Sequence, residues 1–193
     1  MDSICVYCGS RPGADPAYTE AAAALGEALA EQDITLVYGG GHVGMMGTVA
    51  DAVLDAGGEV VGVIPEALAD AEQAHEGVTE LLVVDSMHER KQTMADRSEG
   101  FVALPGGFGT LEEIIEVLTW SQLGIHRKPC GFLNVGGYFD DLFAFFDHQR
   151  NEAFVDERHR EMVVVAAEPT DLLARFDAYE PPQVRAEVSS DER

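Results

Sequence analysis

The segment Pro105–Glu113, with the sequence PGGFGTLEE, brings together three glycines, a threonine hydroxyl and two carboxylates. Glycine allows the backbone to approach an anion closely, and the N–H groups that open a helix attract phosphate. The segment follows the apolar run Phe101–Leu104 and leads into an amphipathic stretch, which is the strand–loop–helix setting of such sites. It predicts a phosphate-binding loop.

Glu113 has two interpretations. In the first, Thr110 and Glu113 form a capping box, in which the glutamate satisfies the backbone N–H of the threonine. Spacing alone favours this capping role. In the second, Glu113 is a carboxylate of the site, because Glu112, Glu113 and Glu116 crowd the first turns of the helix beside the loop.

A cationic counterpart follows a different apolar run. Arg90, Lys91 and Arg97 lie within eight positions of a chain that has only 12 lysines and arginines in all. Arginine pairs bidentately with phosphate, and lysine adds a point charge. The alternative is a solvated helix in which Glu89 offsets Arg90. In so acidic a chain we interpret the cluster as functional.

A second glycine loop, Gly39–Gly44, formally matches GxGxxG. The dinucleotide fingerprint also needs an acidic residue at the end of the next strand, whereas Glu59 stands at the start of that run and Pro65 follows it. We therefore expect no NAD binding, and the absence of a following lysine excludes a Walker-type loop. An anion-binding loop and a tight turn for helix–strand packing both remain open.

Metal and thiol chemistry are not expected. The six histidines show no HExxH or similar spacing, so each is predicted to be a lone polar residue, with no metal site. Cys5 and Cys8 form one CxxC inside an apolar run, and with Cys130 they cannot all pair. Free buried thiols in a reducing compartment are the prediction.

The elements that must position these residues alternate along the chain. Strands are predicted near residues 4–8, 35–38, 60–64, 81–84, 101–104, 130–134 and 162–166, and helices over 16–31, 44–56, 87–98, 110–122, 139–151 and 170–179. Asp15 is the expected N-cap of the first helix. Alternating apolar strands and helices predict an α/β fold, a Rossmann-like doubly wound, mostly parallel sheet of about seven strands with helices on both faces. Ligands of such folds bind beyond the carboxyl ends of the strands.

Composition sets the remaining expectations. Residues 1–179 are predicted to form a single nucleotide-binding domain, and residues 180–193 a flexible tail. No run approaches the roughly 18 apolar residues of a membrane span, and the first residues lack signal-peptide features, so a cytoplasmic protein is expected. The formal charge of −23 argues against nucleic acid and anionic membranes as partners. An acidic surface with only two lysines suggests a halophilic host.

Two motifs together resemble one family. Pro105–Glu113 fits the pattern PGGxGTxxE, and Met87–Lys91 reads MHERK. This pair closely resembles the LONELY GUY family of cytokinin riboside 5′-monophosphate phosphoribohydrolases, often mislabelled as lysine decarboxylases. Thr119–His126 and Leu133–Tyr138 look like further family segments, and the resemblance covers about residues 3–155.

The resemblance implies a homodimer with a Rossmann-like fold and no metal or organic cofactor. It implies that Arg90 and Glu113 are the catalytic pair. The residues that it implies for substrate binding are Glu72, Arg90, Lys91, Gly107, Phe108, Gly109, Thr110, Leu111, Glu112, Glu113 and Thr119. Ser10 and Gly40 are further candidates. Ala69–Ala71 is unusual before Glu72, which bears on recognition of the base and not on the phosphate site.

The function expected from these features is hydrolysis of the N-glycosidic bond of a nucleoside 5′-monophosphate, giving free base and ribose 5-phosphate. Glu113 would stabilise the positive charge that builds on the ribose, and Arg90 would anchor the substrate. Pyridoxal-dependent decarboxylation is rejected, because neither Lys91 nor Lys128 lies in a suitable motif. A non-catalytic nucleotide or molybdenum-cofactor carrier on the same fold is the alternative.

Overall fold

The fold is described by a computed structural model for residues 1–69 and 73–182. Seven strands form one sheet in the order β4-β3-β2-β1-β5-β6-β7, and every pairing is parallel. The strands are β1 (Ser3–Tyr7), β2 (Thr35–Tyr38), β3 (Val60–Pro65), β4 (Glu80–Val84), β5 (Gly100–Ala103), β6 (Cys130–Leu133) and β7 (Val163–Ala166). The predicted fold class is confirmed.

Helices connect the strands and cover both faces of the sheet. They are α1 (Pro16–Glu31), α2 (Gly44–Asp55), α3 (Glu66–Ala69), α4 (Met87–Asp96), α5 (Phe108–Gln122), α6 (Asp140–Asn151), α7 (Glu157–Arg160) and α8 (Pro169–Asp177), with a 3₁₀ turn at Val135–Gly137. The side chain of Asp15 accepts a hydrogen bond from the amide of Ala17, so the predicted N-cap of α1 is confirmed.

Alternate residues of the central strand feed two separate cores. Ile4 and Val6 of β1 pack with α1, α2 and α8 on one face, whereas Cys5 and Tyr7 pack with α4, α5 and α6 on the other. All four side chains are at most 2% exposed. A strand that is buried on both faces needs apolar residues at every position, which explains its lack of polar–apolar alternation.

The start of α5 differs from the sequence prediction. We expected the helix to begin at Thr110 with a capping box, but it begins at Phe108 with Gly107 as its N-cap. Thr110 therefore lies inside the first turn, so the capping-box interpretation of Glu113, which spacing alone favoured, is wrong. The physical reason is that glycine is also an accepted N-cap residue, and here it leaves the first amides facing outward.

The order in which successive strands are added to the sheet reverses at β1 and β5, which are neighbours in the sheet although they are far apart in sequence. Open α/β sheets bind ligands at such a switch point. Backbone hydrogen bonds join the loops there: the amide of Gly9 donates to Pro105 O at 3.1 Å, and the amide of Met45 donates to Gly9 O at 3.1 Å. Both glycine loops thus meet the loop that follows β1.

Two further expectations concern the outside of this fold. Across the described ranges, no helix is long and apolar enough to cross a membrane. The predicted flexible tail falls largely on residues 183–193, which lie outside the described residues, as does Glu72.

Candidate active site

The PGGxGT loop places the amino terminus of α5 at the switch point. The first amides of a helix have no partners within the helix, so those of Phe108, Gly109 and Thr110 are available to an anion. Gly107 and Gly109 are exposed, and a methyl group on either would meet no atom within 4 Å. Thr110 is buried at 4% exposure directly under the loop. The loop thus presents the first amides of α5 to solvent, which is the arrangement that an anion site built from backbone requires.

A tyrosine that sequence reasoning did not single out holds the start of this loop. The hydroxyl of Tyr138 donates to the carbonyl of Gly106 at 2.6 Å, and its ring meets Tyr18 edge-on with centroids 5.5 Å apart. The two rings, Ser10, Arg11 and the glycine loop line a cavity of about 350 Å³. The family-like segment around Tyr138 was the available signal, but hydrogen bonding to a loop 32 positions away has no sequence signature.

Arg90 is a buried cation held by main-chain carbonyls. Its side chain is 5% exposed. The Nε group donates to Val63 O at 3.1 Å, and Nη2 donates to Gly39 O at 2.8 Å. Carbonyls of β3 and of the first glycine loop therefore fix the plane of the guanidinium. Burying a charge costs free energy unless polar groups compensate for the lost water, and the carbonyls of Val63 and Gly39 do so for Arg90.

Arg90 and Glu113 act on the same thiol. Burial raises the pKa of Cys8 most, the charge of Glu113 raises it further, and the charge of Arg90 lowers it. The same two charges act in the same opposite senses on the pKa of Cys5, where burial again dominates. Since Cys5 and Cys8 belong to β1 and the loop after it, both charged groups lie near the end of this strand. The charges of Arg90 and Glu113 therefore both reach the thiol of Cys8, whose loop is hydrogen-bonded to the PGGxGT loop through Gly9 and Pro105.

Lys91 bridges α4 and α5. Its Nζ lies 2.6 Å from Glu112 Oε1 and 3.0 Å from Glu116 Oε2. Partial burial lowers the pKa of Lys91, but the hydrogen bonds and charges of the two glutamates outweigh this effect and the net shift is upward. Lys91 therefore stays an ammonium ion. Its ion pairs with Glu112 and Glu116 join α4 to α5, the helix that carries Glu113.

The remaining predicted residues fall in two places. Phe108 is 93% exposed at the mouth of the loop, and Leu111 follows it in the first turn of α5. Thr119 lies two helical turns beyond Glu112 on the same side of α5, about 10 Å along the axis. Its hydroxyl donates to Ile115 O at 2.7 Å. Within one chain, Thr119 is therefore not part of the phosphate loop.

Three side chains that the sequence left separate meet beside the first glycine loop. His75 Nε2 lies 2.9 Å from Asp51 Oδ1, and His42 Nε2 lies 3.5 Å from Asp51 Oδ2. The two imidazoles stack with centroids 4.1 Å apart. The expectation that every histidine is a lone polar residue is wrong for these two. Spacing rules missed the cluster because an antiparallel bridge between Gly41 and Ala74 brings them together.

Fold and site together define a Rossmann-like α/β protein with a glycine loop at the start of α5. The molybdenum cofactor binding protein of Rippkaea orientalis is similar, with a TM-score of 0.70, 22% identity, and coverage of 92% of this chain and 96% of that one. The molybdenum cofactor carrier protein of Chlamydomonas reinhardtii gives a TM-score of 0.71 at 23% identity, covering 92% and 97%. At these identities the likeness shows the fold.

Sequence comparison narrows the class to a family. Residues 46–176 match the family described as "Possible lysine decarboxylase". A "Probable cytokinin riboside 5'-monophosphate phosphoribohydrolase" of Oryza sativa subsp. japonica is 51% identical over 93% of this chain and 73% of its own length. A cytokinin riboside 5'-monophosphate phosphoribohydrolase of Arabidopsis thaliana is 49% identical over 92% of this chain and 82% of its own. The chain belongs to the LONELY GUY family.

Proposed function

We propose that this protein hydrolyses the N-glycosidic bond of a nucleoside 5′-monophosphate, either AMP or an N6-substituted AMP such as a cytokinin riboside monophosphate. The products are the free base and ribose 5-phosphate. The observation that carries the proposal is that the buried guanidinium of Arg90 and the carboxylate of Glu113 both act on the thiol of Cys8, in the loop after β1 that is hydrogen-bonded to the glycine loop at the start of α5. The names of the plant relatives support the same reaction.

In this mechanism the phosphate binds the amides of Phe108, Gly109 and Thr110. The C1′–N bond breaks with its electron pair going to the base, so positive charge develops on the ribose. Glu113 stabilises that charge and orients the attacking water, whose oxygen bonds to C1′ while Glu113 takes one of its protons. The departing base gains a proton from solvent, and Glu113 returns its own proton to solvent, so that one water is consumed in each turnover. The fixed guanidinium of Arg90 offsets negative charge on the phosphate or on the leaving base. Phosphate binding remote from the reacting bond helps to position the ribose.

Pyridoxal-dependent decarboxylation fits the two lysines poorly. A Schiff-base lysine must lose its proton readily, whereas the pKa of Lys91 is raised through Glu112 and Glu116. Lys128 Nζ donates to the carbonyl of Ala95 at 2.7 Å, in the part of the molecule where α4 ends. The family's descriptive name therefore does not describe the chemistry of this site.

The first experiment incubates the protein with AMP and measures adenine by chromatography. Glu113→Gln should keep AMP binding, measured by calorimetry, and lose base release. Glu27→Gln, an exposed glutamate of α1, is the control and should match the unmodified protein. Tight AMP binding without adenine would overturn the hydrolase proposal in favour of the carrier alternative. Near-normal turnover of Glu113→Gln would refute the role of Glu113.

A parallel assay compares AMP with its N6-prenylated analogue. The backbone amides of the loop bind the phosphate of either substrate in the same way. A preference for one base would therefore appear as a difference between the two kcat/KM values. Equal values would assign the reaction to AMP and its analogues generally.

We further propose that the active form is a homodimer. An apolar cavity of about 330 Å³, lined by Ile115, Leu118, Phe145, Phe146 and Met162 among others, opens between α5 and α6. Thr119 lines the same cavity, so a second copy docked there would lie against a residue that the family resemblance assigns to the substrate. Exposed apolar patches of this kind mark interfaces. Light scattering should give twice the chain mass, and Phe145→Glu should give the monomer.

A cytoplasmic, salt-rich setting is also part of the proposal. Cys5, Cys8 and Cys130 are all free thiols, as expected for a reducing compartment. Mutual repulsion within a chain of charge −23 weakens when salt screens it. The midpoint of thermal unfolding should therefore rise between low and molar KCl. An unchanged midpoint would remove the argument for a halophilic host.

A further inference from the structure

The cluster of Asp51, His75 and His42 connects three parts of the chain. Asp51 comes from α2, His42 from the first glycine loop, and His75 from the segment that leads to β4. His75 is 6% exposed, whereas the side chains of His42 and Asp51 are each about half exposed, at 51% and 50%. The buried imidazole is therefore the fixed member of the cluster, and Asp51 is the group that holds it.

The hydrogen bonds of His75 assign its proton. The amide of Gly77 donates to Nδ1 at 3.2 Å, so Nδ1 is an acceptor. The proton of the neutral ring consequently lies on Nε2, where it is donated to Asp51. A metal-ligating histidine has the reverse arrangement, with its second nitrogen donating to a neighbour. The rings of His42 and His75 are stacked 25° from parallel, and the Nε2 atoms of both face the carboxylate of Asp51.

Main-chain hydrogen bonds hold the short stretch of backbone before and at His75 against the first glycine loop. The amide of His75 donates to Gly40 O at 2.9 Å, and the amide of His42 donates to Gln73 O at 2.9 Å. Gly41 and Ala74 form the bridge between these two hydrogen bonds. Gly40 has a positive φ of 76°, a conformation that favours glycine, so the loop depends on such contacts to keep its carbonyls in place.

The neighbouring carbonyl on the same loop holds Arg90. Gly39 O accepts from Arg90 Nη2 at 2.8 Å, while Gly40 O accepts from the amide of His75. These carbonyls belong to two successive peptide groups that share the Cα atom of Gly40, so a shift of Gly40 would move both acceptors. Gly39 also touches the guanidinium closely, since a methyl group there would collide with Nη2. The first glycine loop therefore contacts Arg90 through the carbonyl of Gly39 and the backbone of His75 through the carbonyl of Gly40.

We propose that Asp51 and His75 are positioning residues for Arg90, acting through the Gly39–Gly40 backbone. Asp51 orients the imidazole, the amide of His75 holds Gly40, and Gly39 holds the guanidinium. Neither side chain is required to touch the substrate. The consequence for catalysis rests on the proposed function, in which Arg90 anchors the substrate, but the consequence for the geometry of Arg90 does not.

The test uses Asp51→Ala, which removes the carboxylate from a half-exposed helix position, and His75→Ala, which removes the ring. Asp55→Ala changes another exposed aspartate of α2 one turn later and is the matched control. Adenine release from AMP should fall in kcat/KM by about tenfold in both cluster variants and stay unchanged in the control. His75→Gln should restore most of the loss, because its amide nitrogen can donate to Asp51 as Nε2 does.

A second measurement does not depend on activity. The Arg90 Nε–H, which donates to Val63 O, should exchange with solvent several-fold faster in Asp51→Ala and His75→Ala than in the unmodified protein, followed by arginine-selective ¹⁵N NMR. Faster exchange in variants of a protein that releases no adenine would uphold the positioning role while the proposed function fails. Unchanged exchange and kcat/KM in folded Asp51→Ala would overturn the proposal. Lost thermal stability without either effect would also overturn it, since the cluster would then be merely structural.

Discussion

Gly39→Ala is the substitution that most directly tests how Arg90 is held. The backbone of Gly39 is outside the positive-φ region, so alanine fits the main chain there. Its methyl carbon would nevertheless lie 3.1 Å from Arg90 Cζ and closer still to Nη2. The guanidinium, held by Gly39 O and Val63 O, must then retreat by roughly 1 Å, because the methyl group is attached to backbone that packs against β3.

A displacement of about 1 Å in a reacting group can lower activity about 100-fold. This corresponds to about 2.7 kcal/mol of lost transition-state stabilisation at 25 °C. The assay is kcat/KM for adenine release from AMP, with far-ultraviolet circular dichroism to show that the variant is folded. Thermal unfolding should also report a loss of about 1.5–3 kcal/mol if the hydrogen bond to Gly39 O breaks.

A double-mutant cycle decides whether the effect passes through Arg90. In an Arg90→Ala background the added methyl group meets empty space, so Gly39→Ala should then cost less than about threefold in kcat/KM. The reasoning is refuted if Gly39→Ala alone retains activity within threefold of the unmodified protein. An equal loss in both backgrounds would likewise show that the loop matters for a reason other than the position of the guanidinium.

Three further predictions concern loop, pH and packing. Tyr138→Phe removes the donor to Gly106 O and should raise KM for AMP about fivefold with kcat little changed, since one hydrogen bond contributes about 1 kcal/mol; an unaltered KM would show that the loop holds itself. Burial lowers the pKa of His126 below 6.5 in the folded protein, so the unfolded chain takes up the proton first and stability falls as pH drops below that value. His126→Gln keeps a donor for Val117 O and should show a shallower loss of melting temperature below pH 6.5; parallel curves would contradict this assignment. Gly26→Ala places a methyl group 2.7 Å from a carbonyl oxygen of α2. It should lower the free energy of unfolding in urea by about 1–3 kcal/mol, although alanine is the better helix former. A more stable variant would refute the argument.

Sequence periodicity was enough for the fold because each strand is a short apolar run between turn residues. The predicted bounds of β2 and α1 agree with the structure, and most other ends differ by one or two residues. The short elements α3, α7 and the 3₁₀ turn at Val135–Gly137 were not predicted. Elements of three or four residues are too short to show a hydrophobic period, and tertiary contacts decide them.

The candidate site was also predicted only in part. Arg90, Glu113 and the glycine loop were predicted because basic residues are rare in this chain and because the two motifs resemble those of one family. Their roles in catalysis stay predictions. The partners of Arg90 could not be predicted, since carbonyls of Val63 and Gly39 carry no side-chain signal. Lys91 was expected at the nucleotide, and its pairing with Glu112 depends on how two helices pack side by side.

Under the proposed function, an anion site that is built from backbone amides has a kinetic consequence. Amides at a helix start attract phosphate over a few ångströms, whereas the net charge of −23 acts over the whole approach path. The acidic surface therefore repels a nucleotide dianion along most of its path to the loop. Added electrolyte shortens the range of that repulsion more than it weakens contacts inside the pocket. Substrate capture should accordingly become faster as ionic strength rises, the reverse of the usual behaviour of enzymes that collect phosphates with lysine and arginine.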